Sequence, residues 1–142
     1  KDYLKIISDS YEGAIEAIDF YYPYIKGTKS YGALLGIYGL FLYYDLHDTQ
    51  NALRYLEDAK DVYDNLNILD KTYCTILNNL SKVYLIGYRK NNDDRYLAHF
   101  KSLYLFIEKN KYRINKTGFR TYLYFKDYRK DFLSWIKLPY NI

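Results

Sequence analysis

The residues that could carry catalysis or bind a metal are few and widely spaced in this sequence. Its histidines are His47 and His99, and its single cysteine is Cys74. A zinc site would need carboxylates from distant segments, and the glycine-rich, nucleophile-elbow and zinc-binding motifs of common enzymes do not occur. We therefore expect no catalytic residue, no cofactor and no metal. We interpret His47 as a turn residue, His99 as lying on a helix flank and Cys74 as a buried structural thiol.

Asp58, Asp61 and Asp64 form a group of carboxylates at three-residue spacing. Such spacing places side chains near one another on a helix surface. We interpret the group as a solvated acidic helix face, the usual situation for charged side chains.

A basic segment near the C-terminus is the sharper chemical feature. Residues 109–130 hold eight Lys and Arg against one acidic residue, with tyrosine and phenylalanine interleaved. Cations beside aromatic rings suit single-stranded nucleic acid, and they suit an acidic peptide or an anionic membrane surface equally well. The alternative is a solvated face whose rings lie in the core. Arg113, Lys116 and Arg120 form the predicted basic patch, since a loop at 110–116 would expose the first two.

The net charge of +4 conceals a division along the chain. Residues 1–70 hold 6 Lys and Arg and 12 Asp and Glu, a formal charge of −6, whereas residues 71–142 hold 15 and 5, a formal charge of +10. The acidic half of one molecule could therefore contact the basic half of the next, in a heterologous self-association that propagates.

Length and composition predict one folded domain of 142 residues. Hydrophobic residues make up 49% of it, which argues against disorder. A single cysteine excludes a disulfide-stapled secreted scaffold, and no apolar run reaches the length of about 18 residues that a membrane span needs. We expect a cytoplasmic location. The absence of methionine, even at position 1, predicts a fragment of a longer chain.

Apolar residues recur at three- and four-residue spacing along most of the chain, which predicts an all-α fold. The predicted helices span about 10–24, 31–45, 50–65, 71–88, 94–109 and 118–136, after the tail of an earlier helix at 3–8. Short connections make neighbouring helices antiparallel hairpins.

Local signals mark the ends and faces of these helices. Asp9 and Glu12 have the spacing of a capping box, and the other predicted N-caps are Ser30, Asp48 or Thr49, and Asp70. The second helix carries three aligned glycines, which predict that another backbone comes very close to it. These are Gly32, Gly36 and Gly39.

Similar residues recur at an offset of 41 positions. Leu42-Tyr43 recurs as Val83-Tyr84, Tyr55-Leu56 as Tyr96-Leu97, and Lys60 and Tyr63 as Lys101 and Tyr104. A fixed offset of this length is typical of helical-repeat folds.

These segments resemble tetratricopeptide repeats. Asn79-Leu80-Ser81-Lys82-Val83-Tyr84 is similar to the first-helix pattern N-L-G-x-x-Y, with Ser81 in place of glycine. The rest of the pattern is similar to Tyr43-Tyr44, His47-Asp48, Ala52, Leu56 and Ala59. The period of 41 residues exceeds the 34 residues of the family. The resemblance implies a short right-handed α-solenoid of about six to seven helices. Its single domain, 1–142, would have repeats at roughly 1–27, 30–66 and 70–109 and a capping helix at 117–137.

The resemblance also implies a function. The implied function is a non-catalytic scaffold or adaptor that binds a protein or peptide in a groove lined by the first helix of each hairpin. The bound protein or peptide could be acidic. The groove residues would be Leu34, Ile37, Phe41, Tyr44, Asn78, Lys82 and Leu85. One alternative is the peptide-sensing domain of a bacterial transcriptional regulator, since low-GC peptide-pheromone receptors also look like this chain. The other is nucleic-acid binding through the basic C-terminal half.

Overall fold

The chain folds into helices, and the computed structural model describes residues 2–119. This range holds six α-helices and one 3-10 helix and no strand, which confirms the all-α prediction. Their bounds are α1 Asp2–Tyr21, the 3-10 helix Pro23–Gly27, α2 Lys29–Tyr44, α3 Thr49–Leu66, α4 Lys71–Asn91, α5 Asp94–Lys109 and α6 Lys111–Lys116. The chain divides into two compact units, Lys1–Ile68 and Leu69–Ile142. The repeat arrangement and the handed solenoid stay predictions.

The first unit is organised by α2 and α3, whose backbones come close together. An ideal Cβ atom at Gly39 would lie 2.8 Å from Leu56 Cγ and 3.2 Å from the Leu56 backbone nitrogen. At Gly32 it would lie 3.0 Å from Tyr63 Cε2. Both glycines therefore admit α3 at a distance that a larger residue would prevent, as their alignment predicted. Leu56 and Tyr63 are buried as a result.

Capping side chains fix where α2 and α3 begin. The Thr28 hydroxyl accepts a hydrogen bond from the backbone N–H three residues later (3.3 Å). The predicted N-cap Ser30 therefore lies inside the first turn of α2, and that prediction is wrong. Asp48 caps α3 in the same way (3.2 Å), as predicted. His47 lies in the turn before it with φ of 55°, a left-handed conformation found mostly in turns.

The first helix also differs from the prediction. α1 is one continuous helix of 20 residues, so the capping-box interpretation of Asp9 and Glu12 is wrong. Asp9 instead binds Lys5 Nζ one turn earlier, at 2.8 Å. Ser10 donates its hydroxyl to the backbone carbonyl of Ile6 (2.9 Å). A serine side chain can compete with the backbone for hydrogen bonds and so disfavour a helix. Here the Ser10 hydroxyl is hydrogen-bonded within the helix.

Tyr38 of α2 holds α1 against the hairpin. Its buried hydroxyl donates to Glu12 Oε1 at 2.9 Å and lies 2.9 Å from the Ser8 hydroxyl. Its ring stacks on Tyr11, with centroids 5.1 Å apart, and meets Tyr55 of α3 edge-on at 4.7 Å. One side chain thus supplies apolar contact to three helices and keeps its polar atom hydrogen-bonded.

The second unit is built on α4 and α5. Asp70 caps α4 and Asp93 caps α5, each by accepting a backbone N–H at 2.9 Å. The predicted start of α4 and both ends of α5 are therefore confirmed, whereas α4 continues to Asn91. Gly87 makes room for Tyr96, whose Cδ2 would lie 2.7 Å from an ideal Cβ atom.

The segment 110–116, predicted as a loop, forms α6 instead. It contains neither glycine nor proline, and Ile114 is completely buried. Burial of the Ile114 side chain favours this helix. The sequence pattern did not indicate it, because the neighbouring residues are mostly cationic. Of the predicted capping helix 117–137, residues 120–137 lie outside the described residues, and Thr117 and Gly118 form a turn. No helix within residues 2–119 has the length and apolar character needed to cross a membrane.

Replacing Gly39 by alanine should destabilise the protein, because the added Cβ would meet both the side chain and the backbone of Leu56. We expect the free energy of unfolding to fall by about 1–3 kcal/mol, as at other overpacked sites. Gly13→Ala is the matched control, since no atom lies within 4 Å of an ideal Cβ there. Alanine is favoured over glycine in a helix by about 1 kcal/mol, so the control should gain stability. Urea denaturation at submicromolar protein concentration, where contacts between copies are disfavoured, measures both variants, and a loss of similar size in the two would contradict the packing argument.

Raising the pH through 10 should destabilise the first unit through Tyr31 and Tyr38. Burial, the largest cause, raises the pKa of each phenol from 10.0 to about 12. The unfolded chain therefore loses these protons before the folded chain does. Their contribution to stability is full below pH 10 and is lost as the pH rises through about 12. In denaturation curves across this interval, Tyr38→Phe should lose less stability than the parent. An equal loss would show that other groups cause the alkaline effect.

Candidate anion-binding site

A cavity of about 510 Å³ opens in the second unit, where the start of α4 meets α6. The described residues that line it are Leu69, Asp70, Lys71, Arg113, Lys116 and Thr117. Two members of the predicted basic patch, Arg113 and Lys116, thus lie together with Lys71. Arg120, the third member, lies outside the described residues.

Cys74 and Thr117 join α6 to α4 beside this cavity. The Cys74 Sγ and Thr117 Oγ1 atoms are 3.7 Å apart. The Thr117 hydroxyl donates to the backbone carbonyl of Ile114 (2.6 Å) and accepts from the N–H of Phe119 (3.1 Å), which ends the helix. Burial raises the pKa of the Cys74 thiol, so it stays protonated. Cys74 is therefore a buried structural thiol, as predicted.

The opposite wall of the cavity is the first turn of α4. The Asp70 carboxylate caps this helix, and Lys71 is its first residue, with an exposed side chain. The unsatisfied N–H groups at a helix N-terminus carry a partial positive charge. The Asp70 carboxylate compensates this partial charge, so the neighbouring cations provide most of the attraction for an anion.

The three cations of the cavity are not neutralised by carboxylates among residues 2–119, where the recorded ion pairs involve other lysines and arginines. Arg113 Nη1 donates to Asn110 Oδ1 at 3.4 Å. Lys116 Nζ lies 5.0 Å from the centroid of the Tyr112 ring, a cation–π distance.

Three cations against one carboxylate leave a formal excess of two positive charges on the described lining. Arginine and lysine arranged around a cavity bind carboxylates or phosphates, and arginine can hold two acceptor oxygens at once. The arrangement is therefore suited to binding an anion.

The predicted groove residues are divided between the two units. Leu34, Ile37, Phe41 and Tyr44 lie on α2, and Asn78, Lys82 and Leu85 lie on α4. About half of the Ile37 and Tyr44 surfaces is exposed, whereas Leu85 is fully buried and offers no surface to a ligand. Phe41 packs against Tyr11 of α1, with centroids 5.8 Å apart. The groove itself stays a prediction.

The other candidate residues lie where the sequence indicated. Asp58, Asp61 and Asp64 are exposed on α3, and Asp64 pairs with Lys60 at 2.7 Å. His99 lies exposed on α5 and stacks on Tyr84, with ring centroids 4.9 Å apart. No three His, Cys, Asp or Glu side chains of the described part of the chain are grouped so that they could hold a metal ion.

No protein-family model matches this chain, and no curated protein or solved structure matches it either.

Sequence reasoning missed Lys71 as a site residue. Its local signal, a position directly after the N-cap Asp70, indicates only a helix start. Its role depends on the end of α6 lying against α4, where Cys74 Sγ is 3.7 Å from Thr117 Oγ1. A basic patch defined along the sequence could not include a cation so far from it in the chain.

Replacing Asp70 by asparagine should strengthen anion binding without unfolding α4. Asparagine caps helices about as well as aspartate, and the change removes the one carboxylate of the described lining. Isothermal titration with inorganic phosphate should give a lower dissociation constant than for the parent. Asp70→Ala is the control for capping, and it should cost about 1 kcal/mol of stability. Unchanged phosphate binding by Asp70→Asn would mean that the anion binds elsewhere.

Proposed function

We propose that this chain is a non-catalytic interaction domain whose second unit binds an acidic segment of a partner protein. The observation that carries the proposal is the cavity at which Lys71, Arg113 and Lys116 converge. The formal charge of +10 on residues 71–142 would draw an acidic partner towards this part of the chain.

The cavity has the size and chemistry for side-chain carboxylates. Its volume of about 510 Å³ is within the usual range for ligand sites. The Arg113 guanidinium can hold both oxygens of one carboxylate, while Lys71 and Lys116 act as point charges for others. The Tyr112 ring restrains the Lys116 ammonium in part, which lowers the entropy lost when a ligand binds.

Equivalent burial in the two hairpins supports the proposed helical-repeat character. Tyr63 of α3 and Tyr104 of α5, 41 positions apart, are both almost completely buried. Leu42 of α2 and Val83 of α4, at the same offset, are also buried. Stacked hairpins that share a core pattern are the usual scaffold for non-catalytic recognition.

Single-stranded nucleic acid is the second candidate ligand, favoured by Tyr112. This ring is 72% exposed beside Lys116, so a base could stack on it. Such binding usually needs a row of stacking rings along a basic track. Lys71, Arg113 and Lys116 instead converge on one cavity, and for this reason we rank the acidic protein segment first.

Replacing Arg113 and Lys116 together by glutamine should weaken binding of a fluorescein-labelled polyglutamate peptide. We expect the dissociation constant to rise at least about tenfold, equivalent to about 1.4 kcal/mol, because two charge-assisted contacts are lost. Lys90→Gln with Lys109→Gln is the matched control. It removes the same charge from exposed positions of the second unit outside the described lining. Fluorescence anisotropy measures both variants.

Three results would overturn this function. The first is no binding of polyglutamate by the parent at low salt. The second is equal weakening by the two double variants, which would indicate general electrostatic attraction. The third is much tighter binding of single-stranded oligothymidylate of matched length, with affinity falling steeply as salt rises, which would assign the cavity to nucleic acid.

A further inference from the structure

We infer that α1 is the contact surface of a homodimer in which the α1 helices of two copies pack antiparallel. This inference concerns the first unit and is independent of the proposed anion-binding function.

One face of α1 is uncharged, and no other element of residues 2–119 covers it. The helix packs on α2 through Ser8, Tyr11, Glu12 and the buried Ile15. The α1 stripe comprises nine other residues at three- and four-residue spacing, and its five large side chains are between 38% and 80% exposed. These nine are Tyr3, Ile6, Ile7, Ser10, Gly13, Ala14, Ala17, Phe20 and Tyr21. A continuous apolar stripe on a helix is the pattern that packs against another helix.

Gly13, in the middle of this stripe, is not explained by packing within the described residues. No atom lies within 4 Å of its ideal Cβ position, whereas Gly32, Gly39 and Gly87 are each in tight contact. A glycine inside a helix costs about 1 kcal/mol relative to alanine. Close approach of a second helix would account for it, because glycine lets another backbone come near.

The α1 stripe is complementary to a second copy of itself. Positions 3, 6, 10, 13, 17 and 20 alternate by three and four residues, as in a coiled coil. In an antiparallel pair centred between residues 11 and 12, Tyr3 would face the second copy's Phe20, Ile6 would face Ala17 and Ser10 would face Gly13. Two small residues thus meet at the centre, where the backbones can come close, a large residue meets a small one beside it, and aromatic rings close both ends. The pairing is isologous, so it ends at a dimer.

The exposed area is sufficient for a weak dimer. A fully buried aromatic side chain covers about 150–250 Å². At 63%, 80% and 76% exposure, Tyr3, Phe20 and Tyr21 leave on the order of 400 Å² open. With Ile6 and Ile7, the stripe approaches the roughly 600 Å² per partner of small specific interfaces. It is also at the upper end of the roughly 300–600 Å² covered by the largest apolar patch of a typical monomer. We expect a dissociation constant in the micromolar range.

The effect of salt distinguishes this dimer from the head-to-tail self-association that the charge division suggested. The α1 stripe holds no charged residue, so its association should persist or strengthen when salt screens the acidic first halves of the two copies. Head-to-tail contact between acidic and basic halves would instead weaken with salt.

Sedimentation velocity of the 142-residue chain, from micromolar to submillimolar concentration, tests the inference. We expect a monomer–dimer equilibrium that moderate salt does not weaken. Gly13→Gln should raise the dissociation constant at least about tenfold, since its side chain holds the helices apart. Glu16→Gln places the same side chain outside the α1 stripe and should leave dimerisation unchanged. Circular dichroism melts show that both variants fold.

Orientation is tested by disulfide trapping. A mixture of Ile6→Cys and Ala17→Cys chains should form the mixed disulfide in preference to either symmetric one, because residues 6 and 17 face each other only in the antiparallel pair. Four outcomes would overturn the inference: a monomer at every concentration, association that salt abolishes, equal effects of the two glutamine variants, or a preference for symmetric disulfides. The Arg113→Gln, Lys116→Gln variant should dimerise like the parent, so failure of the cavity and failure of the dimer are distinguishable.

Discussion

The close approach of α2 and α3 at Gly39 is the constraint on which the first unit depends. With only hydrogen at this position, Leu56 packs against the α2 backbone and is removed from water. The same close spacing brings Tyr38 and Tyr55 to an edge-on contact, and Tyr38 in turn holds α1 through Ser8 and Glu12. The position of α1, and therefore which of its faces stays exposed, depends on Gly39 having no side chain.

Tyrosine serves two different purposes in this chain. Tyr38 and Tyr63 are buried rings of the core, and their abundance there replaces the aliphatic side chains of a more usual helical protein. Tyr3, Tyr21 and Tyr112 are largely exposed, at positions where no described element covers them. An exposed tyrosine ring can pack against a partner while its hydroxyl stays hydrogen-bonded, so these three rings are available for the proposed contacts.

Local sequence signals predicted the helices well, because caps and breaks act within a few residues. Asp48 and Asp70 begin helices as expected, whereas Asp9 does not, since an ion pair with Lys5 and the hydrogen-bonded Ser10 hydroxyl let the helix continue through it. The cavity could be predicted only in part. Arg113 and Lys116 were identified by their charge, but their junction with Lys71 depends on non-local burial that no short pattern encodes.

The distribution of ion pairs separates charges that stabilise the fold from charges available to ligands. In the first unit, Lys5 and Lys60 each bind an aspartate one turn away, an arrangement that supports the helix itself. Arg113 and Lys116 have no such carboxylate among residues 2–119, and their helix is anchored by the apolar Ile114. Since an anion would not have to displace a carboxylate of residues 2–119 from these two cations, they can bind it without disrupting an ion pair of the fold.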